Sequence, residues 1–443
     1  MSAGKRIFVL ALDGTPYSFL NRMINSGKMP NLATLVKKSS FAQMDSVLPP
    51  VSSVAWASFM TGCQPHQHGI MGFIDRDPST MEWYVPLADR LREKTLWTIL
   101  SEQNKRVFVM NVPMTYPPQK VNGIMICGFL GSDITKGTYP SEIGTLLKAK
   151  GYRIDSDVEL AKKDLDAFIN DLNEVLEKRI ETMWEYFERE KWEFFMTHIM
   201  ETDRLHHFTW ELMETRHPKY ESVFMKFYQR IDRLIGDIIV KIPKDMDLIL
   251  LSDHGFTTLK KEVYLNRWLW EKGLLRFTKP VPNNLKDIHP SSIAYSLYPG
   301  RIYINLKGRE KTGSVNPGLE YEQIRRSLKE SLLQIQDPRT AQPVIKHVLN
   351  GEEIYGGHDQ FDPGRGQNET NSITPDLIAA PYDGYDLKGA LWRENLFEKT
   401  VFNGMHTFDD AFILAREREL PEKRLSITDI STLILDWMGE KNK

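Results

Sequence analysis

Arg6-Ile7-Phe8-Val9-Leu10-Ala11-Leu12 is a nearly unbroken apolar run, and Asp13-Gly14-Thr15-Pro16 stops it with turn residues. A strand that is apolar on both faces is one covered on both faces, the habit of parallel sheets packed between helices. The Asp13 carboxylate then falls at the strand's carboxyl end, where open α/β sheets gather ligands. Runs of the same texture recur at residues 106–112, 123–127, 193–200 and 246–252, with helical periodicity over 160–192 and 219–242. This alternation predicts the α/β class, as a three-layer α/β/α sandwich with a mostly parallel central sheet.

After Asp253-His254-Gly255 the texture changes. Residues 264–350 mix aromatics, prolines and Gly/Asn/Ser turns without regular alternation, so 257–350 are expected to form an inserted, substrate-shaping cap between two parts of the core, 1–256 and 351–443. Residues 356–374, rich in Gly, Asn and Asp, read as a surface loop. Strand texture returns at 375–380 and 411–415, and 427–435 carry the apolar spacing of an amphipathic helix opened by a Thr or Asp cap.

Composition narrows the function classes. A length of 443 residues with 41% hydrophobic and 26% charged residues suits one large elaborated globular domain. Lys+Arg 57 against Asp+Glu 59 leaves no excess of either sign, so neither a nucleic-acid polymer nor a membrane is an expected partner. Two cysteines, Cys63 and Cys127, exclude a disulfide framework and a structural zinc ribbon. The first apolar run is too short for a signal-peptide core, and a cytoplasmic location is expected. The sequence leaves the oligomeric state open.

Six side chains of metal-ligand type stand at informative places. Asp13 follows the first strand, Asp253 and His254 follow a later buried one, and His406 precedes the last. Asp203 and His207, at i and i+4, share one face of a helical turn. Carboxylates with imidazoles suit zinc, manganese or iron, so a dinuclear site is physically reasonable. Each piece alone reads at least as well in structural terms: a turn aspartate, a solvated helix face, a strand-end Asp-His-Gly turn, a hydrogen-bonded histidine.

Order and spacing together change that weighting. Pro49-Pro50-Val51-Ser52-Ser53-Val54-Ala55-Trp56-Ala57-Ser58-Phe59-Met60-Thr61-Gly62, followed by Pro65 and His68-Gly69-Ile70, resembles the alkaline phosphatase superfamily, nearest its type I phosphodiesterase and nucleotide pyrophosphatase branch. The resemblance runs nearly end to end. In the diesterase branch a Thr, and in sulfatases a modified Cys, stands at a fixed distance before the shared Thr-Gly; that register falls on Ser52, or on Ser53 if it slips by one. The resemblance implies an alkaline phosphatase-like fold, Ser52 as the catalytic nucleophile, and two divalent ions, Zn²⁺ or Mn²⁺. One ion would be held by Asp203, His207 and His406, the other by Asp13, Asp253 and His254 together with Ser52. His66 and His68 fall where the family packs a loop, and His206 reads as either a supporting or an exposed neighbour of His207. Phe73 stands where nucleotide pyrophosphatases carry a phosphate-binding Asn, and Asp75 nearby would repel phosphate. That departure moves the chain toward the branch described as predicted phosphohydrolases or phosphomutases. Arg204 and Arg301 are candidate phosphate clamps, although a structural arginine is the commoner reading. His198, His217, His289, His347 and His358 carry no motif.

The activity implied is metal-dependent hydrolysis of a phosphate ester, diester or monoester, on a small-molecule substrate through a phosphoseryl intermediate. A serine hydroxyl is a poor nucleophile at neutral pH, and coordination to a dication activates it. One alternative is an intramolecular phosphomutase, but the related cofactor-independent phosphoglycerate mutase inserts its second domain soon after the nucleophile, whereas the expected cap follows His254. Another is a metal-free binding module, which predicts gaps in the ligand set where none is found. Sulfatase chemistry fits least, because Val54 and Trp56 stand where the Cys-x-Pro-x-Arg pattern has Pro and Arg. The cap's Tyr264, Trp268, Trp270, Tyr295, Tyr298 and Tyr303 offer stacking surface or, more ordinarily, core.

Overall fold

The computed structural model describes residues 6–355 and 373–440. Two compact units divide them: the first takes the described residues of Met1–Cys63, Leu87–Thr258 and Val401–Lys443, the second Gln64–Pro86 and the described residues of Leu259–Thr400.

The first unit is built on a nine-stranded sheet. In chain order its strands are β1 (Arg6–Leu12), β2 (Ser39–Asp45), β3 (Val107–Met110), β4 (Gly123–Ile126), β5 (Thr138–Tyr139), β6 (Phe194–Ile199), β7 (Met246–Leu251), β8 (Ala411–Arg416) and β9 (Leu425–Ser426). They lie side by side as β9-β2-β8-β7-β1-β6-β3-β4-β5. The five central strands from β7 to β4 run parallel, and β8 is antiparallel to both neighbours. This is the mixed α/β fold with a mostly parallel central sheet that the alternation predicts.

Every residue from Ile7 to Leu12 is fully buried, as a run apolar on both faces requires. Phe8, Leu10 and Leu12 join a core with the helices Leu165–Arg189 and Tyr220–Lys241. Ile7, Val9 and Ala11 point the other way, where helix Ile430–Met438 packs on β1 and on helix Ser52–Thr61. Each such large side chain taken fully out of water contributes roughly 1.5–3 kcal/mol. The register of β7-β1-β6 sets Ala11 level with Leu251 and Leu12 level with Ile199. Three parallel neighbours therefore end together, and the segments leaving them carry Asp253, Asp13 and Asp203.

The second unit holds a four-stranded antiparallel sheet in the order Ala294–Leu297, Arg301–Ile304, Leu377–Pro381, Ile345–Asn350. It also holds a three-stranded sheet with Lys261–Tyr264 at its centre and a hairpin of Asp75–Asp77 with Glu82–Tyr84. Its core takes in Tyr295, Tyr303 and Trp268, the packing reading of those aromatics. The unit is larger than the 257–350 cap expected from texture. The strand at 375–380, read as a return to the first core, pairs instead with Arg301–Ile304 and Ile345–Asn350. A short apolar run records that a strand is buried, not which sheet buries it. At 427–435 a single 3₁₀ turn, Ile427–Asp429, precedes the helix, and Ser426 with Asp429 forms its capping box. The 356–374 loop reading falls almost wholly on residues 356–372, outside the described residues. Among the described residues no helix is long and apolar enough to cross a membrane.

One feature of the second unit is a buried charge network. Arg309 makes a two-pronged contact with Asp376, Nη1 to Oδ1 at 2.8 Å and Nη2 to Oδ2 at 2.7 Å, and Tyr321 donates to the same carboxylate at 2.6 Å. Arg76 pairs with Glu310 at 2.9 Å with both side chains fully buried.

Candidate metal centre and nucleophile

All six ligand-type residues and Ser52 belong to the first unit. Asp13 enters at the end of β1, and Gly14 follows with φ of +61°, in the left-handed region. A Cβ there would stand 3.0 Å from the His254 ring, so glycine is what lets this loop press against the site. The Gly14 N–H donates to Asp253 Oδ1 at 3.0 Å. Asp203 and His207 sit one turn apart on helix Glu201–Glu214. His406 lies in the short strand Gly404–Thr407, which pairs antiparallel with Gly255–Thr258 so that His406 faces Phe256. That pairing brings the His406 and His254 rings into a stack 3.8 Å apart.

Two triads result, Asp203/His207/His406 and Asp13/Asp253/His254, each with ligand atoms within 4.8 Å of one another. In the first, Asp203 Oδ1 lies 3.4 Å from His207 Nε2 and 3.2 Å from His406 Nε2. In the second, His254 Nε2 lies 3.4 Å from Asp253 Oδ2 and 3.7 Å from Asp13 Oδ1. Ser52, first residue of helix Ser52–Thr61, donates from Oγ to Asp13 Oδ1 at 3.2 Å and lies 3.4 Å from His254 Nε2. Ser53 Oγ, the alternative, is buried without a hydrogen-bond partner, whereas Ser52 makes the contacts with Asp13 and His254.

The protonation pattern is set by backbone carbonyls. His254 Nδ1 meets Gly255 O at 3.0 Å, His406 Nδ1 meets Pro50 O at 2.9 Å, and His207 Nδ1 meets Gly404 O at 3.3 Å. A carbonyl accepts only, so each Nδ1 carries a proton, and in the neutral ring the Nε2 lone pair faces inward. The carboxylates are arranged likewise. Asp203 Oδ1 and Asp253 Oδ2 are buried with no hydrogen-bond partner. Burial and the neighbouring Asp13 charge hold Asp253 well above the usual carboxylate range. Burial also acts to raise Asp13 and Asp203, but His198 pulls the first down and His207, His406 and Arg204 pull the second well down. His254 is pushed down to about 3 by burial and by His406. Three buried carboxylates, two with orphaned oxygens, and three inward imidazole lone pairs form a donor set that fits divalent cations.

Other predicted residues separate by structure. Arg204 grips Asp155 through Nε and Nη2 and touches Asp203 through Nη1 at 3.2 Å, so it braces the Asp203 carboxylate. Arg301, in the second unit, donates to the carbonyls of Tyr298 and Ile74 and lies 3.4 Å from Asp75, which engages it structurally. His68 is buried, accepts from the Ile70 N–H at 3.2 Å and is pushed down to about 3 by burial, in keeping with loop packing. His206 is buried between Gly14 O at 3.0 Å and Tyr228 Oη at 2.6 Å, tying the Asp13 loop to the helix that carries Asp203 and His207. His198, without a motif in the sequence, proves to contact Asp13 Oδ2 at 2.8 Å, beside Trp56 Nε1 at 2.9 Å. A polar residue inside the apolar run 193–200 was the available signal.

The family model for type I phosphodiesterase / nucleotide pyrophosphatase matches residues 7–409. The chain belongs to that family. Solved structures agree on the fold. Phosphonoacetate hydrolase from Sinorhizobium meliloti, in complex with phosphonoformate, superposes with a TM-score of 0.63 at 17% identity, over 98% of this chain and 96% of that one. Murine ectonucleotide pyrophosphatase/phosphodiesterase 5 gives 0.58 at 14% identity, over 99% and 96%. No curated protein matched in a sequence search. Membership of the phosphodiesterase family places the chain in the alkaline phosphatase superfamily, as its Pro49–Gly62 stretch implies, and supports a metal-dependent phosphoester hydrolase.

Proposed function

We propose that the protein hydrolyses a phosphate ester of a small molecule, with Ser52 as the attacking group and two divalent ions in the paired triads. The observation that carries this reading is the convergence of three inward Nε2 atoms and the inward carboxylate oxygens beside the Ser52 hydroxyl. Asp203, His207 and His406 would hold one ion, and Asp13, Asp253 and His254, with Ser52 Oγ, the other. A bound divalent pair supplies charge neutralisation for the phosphate and lowers the pKa of a coordinated hydroxyl. An Asp/His donor set suits zinc and manganese alike.

The chain's own residues support the rest. Ser52 opens a ten-residue helix, whose positive end favours an alkoxide and the phosphoryl oxygens. Ser52 Oγ attacks phosphorus and loses its proton as the bond to the departing alcohol breaks and that alcohol takes up a proton; water then cleaves the phosphoseryl bond, returning a proton to Ser52 and releasing phosphate from a monoester or a phosphate monoester from a diester. Among the six proposed ligands the His207 side chain is the most exposed, at 21%, whereas Asp13, Asp253 and His254 are 0% exposed. Metal-loaded protein assayed on p-nitrophenyl phosphate and bis-p-nitrophenyl phosphate tests the reading. Release of p-nitrophenolate that stops with a chelator and with Ser52→Ala supports it; undiminished turnover in Ser52→Ala removes Ser52 as the nucleophile.

A further inference from the structure

Asp13 has two unlike oxygens. Oδ1 faces Ser52 Oγ at 3.2 Å and His254 Nε2 at 3.7 Å. Oδ2 takes His198 Nε2 at 2.8 Å and Trp56 Nε1 at 2.9 Å. His198 occupies β6 level with Ala11, and the side chains of both His198 and Asp13 are 0% exposed. Its other nitrogen, Nδ1, is buried with no hydrogen-bond partner. A sheet core has no use for a half-satisfied imidazole, which an apolar residue of like volume would replace at no loss of packing. The contact with Asp13 is what the imidazole adds. Trp56 stands edge-on to the same ring, 4.8 Å between centroids at 85°, so the two donors fix each other.

We infer that His198 and Trp56 are positioning residues that hold the Asp13 carboxylate as a one-oxygen ligand, with Oδ1 alone turned to the site. The inference rests on the proposed function only in taking Asp13 for a ligand. With Oδ2 occupied twice, the carboxylate cannot swing to offer both oxygens to an ion, nor turn Oδ1 away from Ser52. The Nε2 atom carries the donated proton because its partner is a carboxylate.

Competition between the full-length protein and a chromophoric chelator for Zn²⁺ resolves the two binding equivalents without any assay of turnover. Wild type is expected to take up two. His198→Leu removes the donor at similar volume and is expected to weaken one equivalent by about 10–100-fold while leaving the other unchanged. His198→Gln, whose amide N–H reaches near the place of Nε2, is expected to restore most of that loss. Trp56→Phe, which removes the second donor, is expected to weaken the same single equivalent. Unchanged affinity at both equivalents in His198→Leu and Trp56→Phe overturns the inference, as does a Gln variant as weak as Leu. If His198→Leu does not fold by far-ultraviolet circular dichroism, the other two variants decide: Gln must keep both equivalents while Trp56→Phe weakens one, and any other pattern overturns the inference. A wild-type protein that takes up no Zn²⁺ would instead fail the proposed function itself, a result these variants cannot mimic.

Discussion

The molecule buries carboxylates in two ways. In the second unit two buried carboxylates are closed by a shared pair of arginines: Asp376 is gripped on both oxygens by Arg309, and Glu310 is paired with Arg76 and Arg309. In the first unit Asp203 and Asp253 each keep one buried oxygen without a hydrogen bond. Asp376 sits below the usual carboxylate range, where burial is overcome by Arg309; in the open site Asp203 is also drawn well down, while Asp253 sits well above. A buried polar network that folding could have completed and did not is complete only with something else bound. The closed network is complete within the fold, and the open one is the site proposed above to take metal.

Breaking each network should therefore give different symptoms. The largest effect is expected at the centre of the open one: Ser52→Ala lowers phosphoester turnover on the order of 10³-fold or more, and Ser53→Ala only a few-fold, in steady-state assays of metal-loaded protein. In the closed network, Arg309→Met strands the Asp376 charge and is expected to cost about 3–5 kcal/mol in urea unfolding, whether or not metal is present. The open network should respond to metal instead. Zn²⁺ or Mn²⁺ at a hundred times its Kd raises wild-type stability by about 2.7 kcal/mol per site. Asp253→Asn should do the reverse of Arg309→Met, raising the stability of the metal-free protein on the order of 1 kcal/mol by relieving like charge while abolishing one metal-dependent increment. Stability losses of equal size in Asp253→Asn and Arg309→Met, both without metal, would erase the distinction drawn here.

Acid offers the smallest and sharpest comparison. The folded pKa of Asp376 is depressed, so its contribution is present above the unfolded carboxylate value, about 3.9, and is lost as pH falls through the folded value. Amide exchange in Leu377–Pro381 should accelerate below about pH 4 in wild type. In Arg309→Met the same strand should exchange fast already at neutral pH.

Sequence reading reached the site where chemistry is written locally. Asp13 follows a run whose burial is plain, Asp253-His254 ends another, and the Asp203/His207 spacing fits a helical turn; these made them candidates, and the resemblance carried by Pro49–Gly62 turned the candidates into an expected ligand set. What escaped depends on contacts between distant residues. Nothing around His198 announces a carboxylate 185 positions earlier, because a single donor leaves no period. The same holds for Leu377–Pro381, whose partners in the second sheet are chosen by register rather than by composition. His206 could be weighed but not placed, since burial of one helix face against the Gly14 carbonyl is decided by how the loop folds.

The pairing of Gly404–Thr407 with Gly255–Thr258 also sets an order of events. Ligands at positions 13, 203, 253 and 406 meet only after the parallel strands have zipped and this late ribbon has folded back across them, and contacts of such long sequence separation form slowly. A partly synthesised chain lacking His406 thus lacks one member of the proposed site, so on that proposal cation capture falls at the close of folding rather than at its start.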